Sequence, residues 1–330
     1  MSHDPRQRSL ELIGKVETLR RQLNQMVLGQ AELIDGLIVA LLAGGHALLE
    51  GLPGLGKTML VRSLATCLGL EFRRIQFTPD LMPSDVTGTQ VLDEHEGRRT
   101  FRFQPGPIFA GLVLADEINR ATPKTQSAML EAMQETRVTV AGTTHSLPRP
   151  FHVVATQNPI ELEGTFPLPE AQLDRFLFRL VVKAPPATAL AQILGQTTGG
   201  PQPTATQALA AAELAELQQT VRDVLCGSHL VRFVAEVIAA THPTTAETDE
   251  ATRRFVRYGA SVRAGQAMIL GAKARALLAG RPAVVRADLD ANLHLALAHR
   301  VLLNFEADAE RVTVGDLIPK WVNDAERRSG

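Results

Sequence analysis

Gly51-Leu52-Pro53-Gly54-Leu55-Gly56-Lys57-Thr58 is the stretch from which the rest of this chain can be read. It follows a short apolar run, His46 to Glu50, and opens an amphipathic segment from about Thr58 to Leu68 that Gly69 stops. A glycine-rich turn between strand and helix lets backbone N–H groups face phosphate oxygens, and the helix N-terminus adds partial positive charge. In the pattern G-x-x-x-x-G-K-T, Lys57 reaches the β- and γ-phosphates and the Thr58 hydroxyl ligates Mg²⁺. Gly51, Pro53, Gly54, Leu55 and Gly56, with Met59 beyond them, form the expected cradle. The stretch predicts a nucleoside triphosphate site delivered by a strand and received by a helix.

Apolar spacing extends the pattern in both directions. Leu10, Ile13, Val16, Leu19, Leu23 and Met26 mark a helix over 8–28, and a second runs from about Ala31 to Ala43 and ends at Gly44-Gly45. Downstream, Glu71 to Phe77, Leu112 to Ala115, Phe151 to Ala155 and Leu177 to Val182 read as strands. A helix starts at Thr122-Pro123, with threonine as cap and proline in the first position, and continues to about Thr136. Strands alternating with helices predict an α/β fold with a parallel sheet covered on both faces. Two inserts break the alternation: hairpins at 89–103, with Glu96-Gly97 as turn, and at 137–147, with Ala141-Gly142 at its tip. After Ala184-Pro185-Pro186 the chain becomes alanine- and leucine-rich with helical periodicity. A core over 1–186 and a smaller all-helical domain over 187–330 are expected.

Composition narrows the function classes. Of the 330 residues 45% are hydrophobic and 21% charged, and the formal net charge is −1, which gives no electrostatic footprint for wrapping DNA or a membrane surface. Aromatic residues make up 4%, too few for a base-stacking platform. Cys67 and Cys226 are far apart and have no histidine pairs at ligand spacing, which argues against zinc and against a disulfide scaffold. Met1 to Lys15 lacks the apolar core of a signal peptide, and Gly36 to Leu49 is too short to span a bilayer, so a cytoplasmic location is expected.

Leu112-Val113-Leu114-Ala115-Asp116-Glu117 places two carboxylates at the end of a buried strand. In a parallel sheet all carboxyl ends share one edge, so this pair should fall beside the phosphate loop. Asp116 would hold Mg²⁺ through water, and Glu117 would orient and deprotonate the attacking water. Asn158, after the next strand, would occupy the same edge and donate to the γ-phosphate or the water. Gln76 ends the second strand, where a polar residue could restrain the glutamate. His294 and His299 read as surface or packing residues within a helix.

These elements follow one another as in AAA+ ATPases, and the phrasing resembles the MoxR branch. The resemblance is carried by Ala155-Thr156-Gln157-Asn158-Pro159-Ile160-Glu161-Leu162-Glu163-Gly164-Thr165-Phe166-Pro167-Leu168-Pro169-Glu170-Ala171 and by the run Arg74 to Gly88. Leu173-Asp174-Arg175-Phe176 and Gly259-Ala260-Ser261-Val262-Arg263-Ala264 add to it. It spans Val27-Leu28-Gly29-Gln30 to Asn304-Phe305, nearly the whole chain.

The resemblance implies an αβα sandwich with a five-stranded parallel sheet and a helical lid, working with ATP and Mg²⁺ as a hexameric ring. Val27, Gly29 and Gln30 look like the segment packing on adenine. Arg175 looks like the arginine finger that reaches the neighbouring subunit's nucleotide, and Arg263 like the sensor-2 arginine over the γ-phosphate. Relatives often carry proline where this chain has Val262. The hairpins resemble the inserts that face pore or substrate. A chaperone-like remodelling motor with a von Willebrand factor A-domain partner and a protein client is implied. A magnesium-chelatase-like ATPase subunit and a nucleic-acid motor share the same motifs and stand as alternatives.

Overall fold

In chain order the strands are β1 (Ala47–Glu50), β2 (Phe72–Gln76), β3 (Gly88–His95), β4 (Arg98–Pro105), β5 (Leu112–Asp116), β6 (Arg137–Val140), β7 (Thr143–Ser146), β8 (His152–Gln157) and β9 (Phe178–Val181). The computed structural model describes residues 5–95, 98–159, 164–200, 203–244 and 248–329. Five strands pair in parallel in the order β2-β5-β8-β1-β9. In the inner strands β1, β5 and β8 alternate residues enter two separate cores. Leu49, Leu112, Leu114, Val154 and Leu180 face one, and Leu48, Val113, Ala115, Val153 and Ala155 face the other. Two buried faces demand near-continuous apolar strands, which is why these segments lack the alternation of half-exposed ones.

The helix Ala31–Leu42 is buried nearly all round because β9 covers one side and helices Ala211–Asp223 and Val262–Leu278 the other. Met129, Leu130 and Met133, from helix Pro123–Glu135, fill the opposite core together with Phe77 and Phe176. Beyond residue 186 the sheet has ended, and helices dominate, from Ala187–Gly199 to Val314–Ser329. The exception is a short antiparallel pair, Val256–Tyr258 with Leu302–Leu303. Trp321 is wholly buried there and donates to the Thr252 hydroxyl at 2.7 Å. Among the described residues no helix is long and apolar enough to cross a membrane.

Both hairpins form. β3 pairs with β4 from Gly88↔Pro105 to His95↔Arg98, and the expected turn at Glu96-Gly97 lies outside the described residues. β6 pairs with β7 across Ala141 and Gly142, both at positive φ (49° and 81°), the backbone hand a two-residue hairpin turn needs. Phe103 of β4 stacks on His145 of β7, ring centroids 3.8 Å apart, so the hairpins touch one another.

Two local expectations fail. Thr122 sits at the helix start, but its hydroxyl faces the Thr125 hydroxyl at 3.4 Å instead of capping the backbone, because Thr125 is itself drawn to the Leu81 carbonyl. His299 lies beyond its helix, which ends at Leu297, and is buried against the Phe176 carbonyl at 3.0 Å.

At the amino edge of the sheet two histidines are held neutral. His46 Nδ1 accepts from the Val153 N–H at 3.0 Å while its Nε2 donates to the Met133 carbonyl at 3.1 Å. His152 Nδ1 donates to the Gly45 carbonyl at 3.0 Å, and its Nε2 accepts from Gln218 at 2.8 Å. Burial pushes both imidazoles from 6.5 down to about 4. Between those values the unfolded chain binds more protons than the folded one, so stability is full above pH 6.5 and falls as pH drops toward 4. For His152 alone the loss is on the order of 3 kcal/mol. Denaturant melts across this window should show that slope, and His152→Gln should reduce it to the part that His46 supplies.

Candidate functional site

Parallel pairing brings the sequence-predicted groups to one edge. Glu50 ends β1 opposite Gln157, and the Gly51 N–H donates to the Gln157 carbonyl at 3.2 Å, so Asn158 begins beside the phosphate loop. Ala115 pairs with Ala155, and the Glu117 N–H donates to the Thr156 hydroxyl at 2.8 Å. Gly51 allows a close approach: a Cβ there would stand 2.7 Å from Val182 Cβ and 2.9 Å from its carbonyl oxygen. Gly54 and Gly56 hold φ of +80° and +77°, where side chains are strained, which bends the loop toward the helix Lys57–Cys67. No side chain caps that helix, and an N-terminus of this kind is suited to an anion. Lys57 Nζ lies over the loop, donating to the Gly51 carbonyl at 2.6 Å. Pro53 is exposed at the loop's crown.

The carboxylates are tightly held. Asp116 is buried; Oδ1 accepts from the Thr156 hydroxyl at 2.6 Å and Oδ2 from Arg74 Nη2 at 2.7 Å and Nε at 2.9 Å. Glu117 takes φ 57°, a left-handed conformation uncommon outside glycine, which turns its carboxylate off the strand line. Glu117 Oε2 accepts from Gln76 Nε2 at 2.7 Å and from Arg120 Nη1 at 3.4 Å. Gln76 pairs with Asp116 across β2 and β5, and Arg74 donates to the Gln76 amide oxygen. The donor chemistry of Thr58 and Asp116, hydroxyl and carboxylate oxygen, suits Mg²⁺.

Beside the loop lies a mainly apolar cavity of about 400 Å³, lined by Val27, Gln30, Gly54, Met59, Leu190 and Ile193 among others. Its size is that of small-ligand pockets. Gln30 is buried and donates to the Lys183 carbonyl at 2.6 Å, while Gly29 packs on Ala189 and Pro186. Leu55 and Gly56 complete the wall on the side of the loop.

Neither predicted arginine lines that cavity. Arg175 borders a polar cleft of about 610 Å³ with Ser127, Glu131, Arg137 and Gln172; no residue lining that cleft also lines the cavity. Its Nε is buried without a hydrogen-bond partner. Arg263 opens the helix Val262–Leu278, with Nη1 3.6 Å from Asp174 Oδ2. Arg253, Arg254 and Arg257 are exposed, and Arg254 pairs with Glu306 and Glu310.

Several site residues escaped the sequence reading. Thr156 and Arg74 grip Asp116, and Leu190 and Ile193 reach the cavity from beyond the expected domain boundary at 186. A signal for Arg74 existed: Phe72, Arg74 and Gln76 share one face of an edge strand, so Arg74 must emerge beside Gln76.

Similarity to known proteins agrees with this geometry. Residues 46–178 match the ATPase family associated with various cellular activities (AAA), and residues 248–321 match the AAA lid domain. The chain is 41% identical to Chaperone MoxR1 of Mycobacterium tuberculosis over 305 residues, covering 92% of this chain and 80% of that protein. It is 34% identical to Protein MoxR of Paracoccus denitrificans, over 86% of this chain and 87% of the relative. The crystal structure of a putative ATPase from Cytophaga hutchinsonii superimposes with a TM-score of 0.89 at 36% identity, covering 96% of each chain. With a five-stranded parallel sheet, a helical lid and relatives of this similarity along nearly its full length, the chain belongs to the MoxR family of AAA+ ATPases.

Proposed function

We propose that this chain hydrolyses ATP with Mg²⁺ in a homo-oligomeric ring, six subunits by family resemblance, and uses the energy to remodel a protein client. The observation that carries the reading is the meeting of Gly51–Thr58, Asp116, Glu117 and Asn158 at one sheet edge beside a base-sized cavity. Residues 1–186 serve as the nucleotide-binding core and 187–330 as the lid, with helix Ala187–Gly199 closing over the cavity.

Val27, Gly29 and Gln30 hold the base against Met59 and Leu190, and the loop N–H groups with Lys57 hold the phosphates. Thr58 and Asp116 hold Mg²⁺, which supplies charge neutralisation on the phosphates when bound. Glu117 takes the proton of the attacking water, and Asn158 orients that water against the γ-phosphate without adding charge. Gln76, bound to Glu117 at 2.7 Å, restrains the base until the β2 end shifts. Arg263 acts from the lid over the phosphates. Arg175, in its separate cleft, completes the neighbouring subunit's site in trans and stabilises the charge that develops during transfer.

The hairpins β3–β4 and β6–β7 reach the client. Leu92 and Phe101 are register partners and both exposed, which gives the first hairpin an apolar patch midway along its length. The resemblance supplies the partner class, a von Willebrand factor A-domain protein, and an assembly or maturation role.

Four measurements test this. Glu117→Gln should keep ATP affinity and lose hydrolysis by roughly 10²–10⁴-fold, the usual worth of a general base; full turnover would remove Glu117 from that role. Loaded with ATP, the same variant should retain a von Willebrand A-type partner in a pull-down. Gln76→Ala should raise basal hydrolysis about tenfold, the factor matching release of a charge-assisted hydrogen bond of about 1.5 kcal/mol. Unchanged or slower turnover counts against the restraint. On dilution, turnover per subunit should fall while nucleotide stays bound, since the arginine comes from a neighbour. Turnover independent of concentration, in protein shown to be monomeric, contradicts a shared site.

A further inference from the structure

Arg175 leaves the core on a turn between helix Glu170–Leu173 and β9, and the groups that hold this turn come from the far end of the chain. The Arg300 side chain is 2% exposed. Its Nε donates to Asp174 Oδ1 at 2.7 Å, and its Nη2 to the Asp174 carbonyl at 3.0 Å and the Phe176 carbonyl at 2.5 Å. Its Nη1 donates to the Leu177 carbonyl at 3.0 Å and to Ala296 at 2.7 Å. These bonds draw on all three guanidinium nitrogens, and three of them grip backbone carbonyls on either side of Arg175. His299 adds a second bond to the Phe176 carbonyl at 3.0 Å. The Asp174 carboxylate also accepts from the Ser261 hydroxyl at 2.8 and 2.9 Å, with Arg263 3.6 Å away. The turn that aims Arg175 is therefore clamped by residues 261–300 of the helical domain. The Arg175 Nε meanwhile lies buried and unpartnered at its cleft.

A staple between domains does not require this chemistry, since apolar residues of similar volume commonly stabilise as well as a buried ion pair. What a guanidinium fork adds is direction. It fixes the backbone from which a long, torsionally soft side chain departs, and catalytic groups misplaced by about 1 Å can lose on the order of 10²-fold in rate.

We propose that Arg300 and Asp174 are positioning residues for Arg175, so that the lid of one subunit sets the aim of the arginine serving its neighbour's nucleotide. The clamp links two sites within one subunit. Arg263 and Ser261, at the start of a lid helix, share the carboxylate of Asp174, next in sequence to the residue that acts outward. A movement of that helix pulls on the same turn. This inference rests on Arg175 acting in trans.

The test uses Arg300→Lys, which keeps the charge but not the fork, and the isosteric Asp174→Asn, which keeps the question open should the first variant fail to fold. Both are measured as full-length protein for melting temperature, affinity for a fluorescent ATP analogue, ATPase rate, and ATPase rate after mixing with Glu117→Gln. The expected result is analogue binding like the parent chain and turnover reduced by roughly 10²-fold. Mixing should restore turnover, because Glu117→Gln subunits offer well-aimed arginines to neighbours whose own base is intact. Arg175→Ala mixed with Glu117→Gln is the control. If that control shows no recovery, the trans reading itself fails. If the control recovers and the Arg300→Lys and Asp174→Asn mixtures do not, or if both variants keep full turnover alone, the positioning role is overturned. A purely structural role would lower melting temperature and analogue affinity without rescue by mixing.

Discussion

The parallel pairing of β1 between β8 and β9 is the constraint on which the rest of this molecule depends. Parallel strands deliver every carboxyl end to one edge, so the phosphate loop after β1, the carboxylates after β5 and Asn158 after β8 meet without any contact between their side chains having to recruit them. That edge has the chemistry of an anion site, because the loop glycines hold positive φ and no side chain caps the helix Lys57–Cys67. Burial on both faces holds the strands in register, since a one-residue slip would move the residues of one core into the other.

Charge at that edge is arranged so that each carboxylate has a partner. Arg74 and Thr156 hold Asp116, and Gln76 with Arg120 holds Glu117. A buried or half-buried carboxylate without such donors would be costly, so the network has a structural reason of its own. At the other end of the sheet, His46 and His152 meet the same requirement by staying neutral. The two edges of one sheet thus solve the problem of buried polar groups in opposite ways. Charge is retained where hydrogen-bond donors surround it and suppressed where apolar packing does.

The helical domain does more than cover the site. Leu190 and Ile193 supply apolar wall to the cavity, and Arg300 grips the turn that carries Arg175. The cavity wall and the turn that carries Arg175 are therefore both held by segments beyond residue 186. The hairpins are likewise joined, through the Phe103–His145 stack, so a shift of one is felt by the other.

Much of this was legible in the sequence because it is written in short-range pattern. The loop, the apolar strands, both hairpins with the Ala141-Gly142 tip, and Asp116-Glu117 at a strand end each follow from residues within a few positions of one another. The Thr122 cap was misread because a hydroxyl chooses among all nearby partners, and Thr125 with Leu81 offered a competing one. The reach of helix Ala187–Gly199 into the cavity was hidden by a boundary drawn from composition, which marks where the sheet stops and not where the chain goes next. By itself the sequence determined the family, the strand–loop–helix around Gly51–Thr58 and the order of the sheet's strands and helices, since periodicity and turn chemistry act locally. Only the tertiary structure decided that Arg74 meets Asp116 and that Arg300 meets Asp174 across 126 positions. Arginine is common on any surface, and which one becomes buried against which carboxylate depends on the path of the whole chain.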